Sequence, residues 1–164
     1  MAKAVTNGVV PLGAVASREK IYDTILEASP MGAVEFFHGY TYSAIPVSMA
    51  AGLAMQDIIT KENLFQRSKD MSPYFLDGLF SLKDIDIVTD IRGYGMLGGI
   101  DIRFYERPGK AGYACFKKLF EAGLSLKATG DCLIVAPPFI SEKSHIDEII
   151  EKLRKGITSY KKTK

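Results

Sequence analysis

The chain has 164 residues, 47% of them apolar and 24% charged, with a formal net charge of +2. That length and balance suit one globular domain, or one and a fraction, with enough chain for a hydrophobic core. Charges of both signs are interspersed, which excludes the one-sided basic footprint of a nucleic-acid binder; no apolar run approaches membrane-spanning length and no signal peptide is visible, so the expected compartment is the cytoplasm.

The chain opens with Lys3 in a small, apolar setting, followed by the turn signals Asn7-Gly8 and Pro11 with Gly13. Leu12 to Ser17 reads as a short buried strand. A lysine held in a dry pocket has its ammonium form disfavoured and becomes an amine nucleophile toward a carbonyl, the chemistry of a Schiff-base lysine. The same residues also read as an ordinary exposed lysine near a chain end. Arg18 to Glu27 carries Ile21, Ile25 and Leu26 on one helical face, with Ser17 as its N-cap. Ala28 to Phe37 is loop-like, and His38 to Tyr42 is polar and aromatic.

From Pro46, a residue suited to a first helical turn, a helix runs through Val47, Ala50, Ala51, Ala54 and Ile58. It is apolar nearly all round, which predicts burial. Asn63 to Leu82 continues as one or two helices with Pro73 at a start or kink. Alternating Ile85, Ile87 and Ile91 predict a strand over Asp84–Arg92, a turn at Arg92 to Gly95, and an antiparallel partner over Met96–Phe104. Ala111 to Ala122 is an amphipathic helix stopped by Gly123. Leu124–Lys127 and Cys132–Val135 read as strands, and Ser141 caps a last helix striped by Ile146, Ile149, Ile150, Leu153 and Ile157.

Alternating strands and helices over residues 84–160 give a compact α/β layer domain, with a boundary between Thr60 and Lys83. Cys115 and Cys132 lack metal-ligand spacing and read as structural thiols. Asp84, Asp86 and Asp90 are spaced as strand residues, and the glycines from Gly93 to Gly99 do not form a dinucleotide fingerprint.

Ala2-Lys3-Ala4-Val5-Thr6-Asn7-Gly8, continued by Pro11-Leu12-Gly13-Ala14-Val15, resembles the segment that carries the pyridoxal-phosphate lysine in class III (omega) aminotransferases. His38-Gly39-Tyr40-Thr41-Tyr42-Ser43-Ala44 with Pro46 resembles a second signature of that family, and the omega-amino acid–pyruvate aminotransferases are the most similar members. The resemblance implies an α/β fold, the C-terminal part of a fold-type I pyridoxal-phosphate-dependent transferase. Residues 1–65 would end the large cofactor domain, and residues 66–164 would form the small C-terminal domain. It also implies that the N-terminal part of the large domain lies outside this chain.

By the same resemblance Lys3 holds pyridoxal 5'-phosphate and shuttles a proton at the reacting carbon. Tyr40 and Thr41 contact the cofactor phosphate across a homodimer interface. Ile45 stands where relatives usually carry histidine. Lys127, in Leu124 to Asp131, occupies the place of an arginine that binds the substrate carboxylate, and a lysine offers a point charge where arginine offers a planar fork. The implied activity is transfer of an amino group from an omega-amino acid or amine to a keto acid such as pyruvate. Three further parts of the family's site, an aromatic stacked on the ring, an aspartate on its nitrogen and a Gly/Ser phosphate turn, would lie in the absent N-terminal part. The competing expectations are a truncated or split-gene product without activity of its own, one active only with a separate N-terminal chain, and a small-molecule-binding module over residues 84–160.

Overall fold

The computed structural model describes residues 1–30, 39–103 and 107–161, and the chain divides into two compact units, Met1–Asn63 and Leu64–Lys164. His38 and Phe104, which the sequence placed in a signature motif and in a strand, lie outside the described residues.

In the first unit a 3-10 turn, Lys3–Val5, is followed by helix α1, Glu19–Glu27, and helix α2, Pro46–Lys61. Between the 3-10 turn and α1 the chain turns at Thr6–Gly8 and then runs on without forming a strand. Gly13 makes one antiparallel bridge to Ala2, and Val15 is 92% exposed. The strand expected over Leu12–Ser17 is therefore corrected: a lone bridge gives its backbone no ladder, and its apolar residues have no second layer to cover them. Arg18, with no side-chain bond, occupies the N-cap of α1 in place of Ser17.

Helix α2 begins as expected with Pro46 in its first turn. Its expected burial is corrected as well, because Ser48 and Gly52 are its only buried residues, while Val47 is 61% and Leu53 71% exposed. The reason is local. These two small residues lie four apart on one face, and that face alone meets the loop carrying Val5, Pro11 and Leu12. A Cβ at position 52 would stand 2.9 Å from Leu12 Cδ2, so glycine lets the helix approach the loop.

The second unit opens with α3, Leu64–Phe80, one helix that takes Pro73 in its interior, and a 3-10 turn, Ser81–Asp84. It continues through strands β1, Val88–Tyr94, and β2, Leu97–Ile102, helix α4, Ala111–Glu121, strands β3, Lys127–Thr129, and β4, Cys132–Val135, and helix α5, Lys143–Lys161. The four strands form one sheet in the order β1-β2-β4-β3 with antiparallel neighbours throughout. The β1–β2 hairpin turns at Gly95, whose φ of 59° is the left-handed conformation that glycine adopts without steric cost.

The helices cover one face of the sheet. Alternation along the strands sends Ile91, Ile100, Leu133 and Val135 inward, against Phe75, Leu79, Leu119 and Ile157 of the helices. Gly93 and Gly98, paired across β1 and β2, leave the room that Leu76 and Leu79 of α3 need to reach the sheet. Ser141 does not cap α5: the Glu142 N–H instead donates to Nδ1 of His145 at 3.0 Å. No helix among the described residues is long and apolar enough to cross a membrane.

Candidate active site

In the first unit, a cavity of ≈680 Å³ opens between the Lys3–Gly13 loop, the Tyr40–Ile45 segment and the first turn of α2. Lys3 lies on its wall and is exposed, with its backbone at φ 58°. The loop beyond it is tied by hydrogen bonds, one of them from the Val9 N–H to Thr6 O at 3.1 Å. The Thr6 N–H donates to Lys3 O at 3.3 Å, the Thr6 hydroxyl to Val10 O at 2.6 Å, and the Ser48 hydroxyl to Pro11 O at 2.9 Å. Thr6 and Ser48 are each only 4% exposed, so these bonds are sheltered from water.

Opposite the loop, Tyr40 to Ser43 form a turn in which Ser43 N–H donates to Tyr40 O at 2.9 Å and Tyr40 N–H to Ser43 Oγ at 3.1 Å. Tyr40 lines the cavity, whereas Thr41 sits exposed on the turn and is not among its described wall residues. Ala44, φ 57°, then leads into Ile45, the apolar N-cap of α2, and Ile45 also lines the cavity. Among the described wall residues Lys3 is the only charged one; Tyr40, Tyr42 and Ser43 supply hydroxyls, and Val10, Leu12 and Met49 apolar surface.

Lys127 belongs to the second unit. It begins β3, an edge strand, and is exposed. Register places it in one cross-strand row with Ile134, Gly99 and Arg92, on the sheet face away from the helices. At the other end of that row Arg92 forms a two-point pair with Asp101, at 2.7 and 3.1 Å, and bonds Asp90 at 2.8 Å. Arg92 Nη2 also stands 3.5 Å from the sulfur of Cys132. The bond to the guanidinium holds the Asp101 carboxyl below the usual carboxylate range, against a smaller opposing effect of burial. Arg92 thereby bridges the neighbouring strands β1 and β2. Among the described residues, no cluster of His, Cys, Asp or Glu has the makings of a metal site.

Residues 1–157 match the family model for aminotransferase class-III, and the chain belongs to that family. It is 40% identical to an omega-aminotransferase of Caulobacter vibrioides over 158 residues, 94% of this chain and 35% of that one. It is 41% identical to a beta-alanine–pyruvate aminotransferase of Pseudomonas aeruginosa over 163 residues, 96% of this chain and 36% of that one. Among solved structures, a transaminase with L-alanine matches 99% of this chain and 40% of its own, with a TM-score of 0.92 and 26% identity. A transaminase from the marine bacterium Virgibacillus gives 0.86 and 28% over 98% of this chain and 38% of its own. The chain thus spans about a third of the length of the relatives it matches and represents part of their α/β fold.

Class III aminotransferases depend on pyridoxal phosphate. The wall described above fits a share of what that cofactor needs: a primary amine for its aldehyde, hydroxyls for hydrogen bonds, and apolar surface for a ring. It holds no carboxylate to face a ring nitrogen among its described residues.

Proposed function

We propose that this chain contributes the lysine-bearing part of a pyridoxal-phosphate-dependent omega-aminotransferase, which moves an amino group from an omega-amino acid or amine to a keto acid such as pyruvate. The observation that carries this reading is Lys3: the match to the class-III aminotransferase family spans residues 1–157 and so includes it, and among the described residues it is the one amine on the wall of the cavity. When bound, pyridoxal phosphate supplies an aldehyde to receive the amino group and a conjugated ring to draw electrons from the substrate carbon.

Lys3 would hold the cofactor through Nζ, and its neutral amine would take a proton from the substrate carbon and return it. Both tasks need a basic primary amine, which no other described wall residue offers. Tyr40 and Thr41 would donate hydroxyls to the phosphate of a second copy in a homodimer, consistent with the exposure of both side chains here. Lys127 would attract the substrate carboxylate as a point charge. We place the assembly in the cytoplasm.

The test is covalent capture. The chain is incubated with pyridoxal phosphate, reduced with borohydride and mapped by peptide mass spectrometry, and half-transamination is followed with beta-alanine. An adduct at Lys3 that disappears in Lys3→Ala supports the assignment; an adduct spread equally over surface lysines rejects it. A second reading, activity only together with a separate N-terminal chain, is favoured by the apolar surface of the first unit, where Val15, Leu53 and Val47 stand open. Capture without half-transamination would point to that reading.

A further inference from the structure

We propose that Thr6 and Ser48 are positioning residues for Lys3, their hydroxyls holding the loop in the backbone conformation that puts the lysine on the cavity wall. This rests on the role given to Lys3 above. A lysine at φ 58° occupies a region that side-chain-bearing residues rarely adopt, and Asn7, at φ 51°, repeats the departure within the same loop. Such conformations persist only where the surroundings over-determine them.

Two sheltered hydroxyls do that here. Thr6 spans the loop from within, donating to Val10 O at 2.6 Å while its own N–H holds Lys3 O at 3.3 Å. Ser48 spans it from outside, reaching from α2 to Pro11 O, 37 positions away in sequence, at 2.9 Å. Each is 4% exposed and its bond joins a hydroxyl to a backbone carbonyl, so removal of either hydroxyl leaves that carbonyl without its partner. Neither residue is asked to touch a reacting atom. Both act through the lysine backbone.

The test compares the unaltered chain with Thr6→Val, Ser48→Ala and the conservative Thr6→Ser. Three readouts are taken: exchange of the Thr6 and Val9 amides, borohydride-trapped pyridoxal phosphate on Lys3, and reductive methylation of Lys3 by formaldehyde relative to the exposed Lys20. In Thr6→Val and Ser48→Ala, amide exchange in the loop should rise about fivefold or more and capture at Lys3 fall about tenfold. Thr6→Ser should restore both. Unchanged exchange of the α1 and α2 amides marks the effect as local to the loop and separates it from misfolding of the first unit. Faster loop exchange with capture unchanged would overturn the proposal, as would failure of Thr6→Ser to restore it. If the unaltered chain captures no cofactor, the role assigned to Lys3 fails on its own account. Positioning is then judged by the methylation ratio, and an identical ratio in all variants overturns it.

Discussion

Asp131 and Ala111 stand 20 positions apart, yet the carboxylate of the first accepts the backbone N–H of the second at 2.9 Å. Its other oxygen takes the Gly109 N–H at 2.8 Å. The β3–β4 turn therefore supplies the cap that Lys110, the N-cap residue of α4, does not. An anion there also meets the positive end of the helix dipole. Asp131→Ala is expected to destabilise the second unit by about 1–2 kcal/mol. Urea unfolding followed by circular dichroism measures this, and an unshifted midpoint would contradict the capping role.

The close approach of α4 to the same turn leads to a second expectation. A Cβ at position 112 would lie 2.6 Å from Gly130 O and 3.0 Å from Cys132 O, both backbone atoms that cannot swing aside. Gly112→Ala should cost about 1–3 kcal/mol by overpacking, although alanine is the better helix former. Thermal melting of the variant checks it; a stabilised protein would show that propensity outweighs the contact.

Much of this architecture was legible in the residues themselves. The 3.6-residue stripe of α5 leads directly to its helix, because a period is a local property, whereas the turn expected over Arg92–Gly95 is confined to its end at Gly95, since Arg92, Gly93 and Tyr94 still pair within β1. Strand β3 was expected at Leu124–Lys127 and lies at Lys127–Thr129, since Leu124 and Leu126 pack on the core from the connection after Gly123 and do not pair. The cap made by Asp131 escaped notice because an N-cap preference says nothing of an acceptor arriving from 20 positions away, and that of His145, although local, is not the Glu or Gln that a capping box offers at that place. Helix α2 misled for a related reason, as composition reports what a face could bury and not what reaches it. At the candidate site, the motif around Lys3 was legible as a family signature. The bracing by Ser48 was not, because a hydroxyl 37 residues from its acceptor leaves no local trace.

The Arg92–Asp101 pair implies a pH dependence with a definite sign. A carboxyl whose folded pKa is lowered stabilises the folded chain above its unfolded pKa, near 3.9, and that contribution fades as pH falls through the lower folded value. Melting temperature should therefore decline below about pH 4. Asp101→Asn should lower it at neutral pH and flatten part of the acid decline. Only part is expected to flatten, because Lys152 likewise lowers the pKa of Glu148. Parallel acid profiles for the two proteins would remove Asp101 from the account.

Neither thiol should be reactive in the folded chain. Burial pushes Cys115 up to about 12. Cys132 is pushed up to about 11, by burial first and then by its hydrogen bond to Asp101, with Arg92 opposing. Since the thiolate is the nucleophile, iodoacetamide at pH 8 should label both on the order of a hundredfold more slowly than in denaturant. Rapid native-state labelling of Cys132 would show that its sulfur is not held as described.

The cross-strand row from Arg92 to Lys127 has a consequence for the open side of the sheet. At the β1 end two carboxylates outnumber one guanidinium, leaving a surplus of negative charge. At the β3 end Lys127 has, among the described residues, no carboxylate within ion-pair reach. The surface thus carries a lateral dipole across its strands, and a zwitterion drifting over it would feel a torque turning its acidic end toward β3.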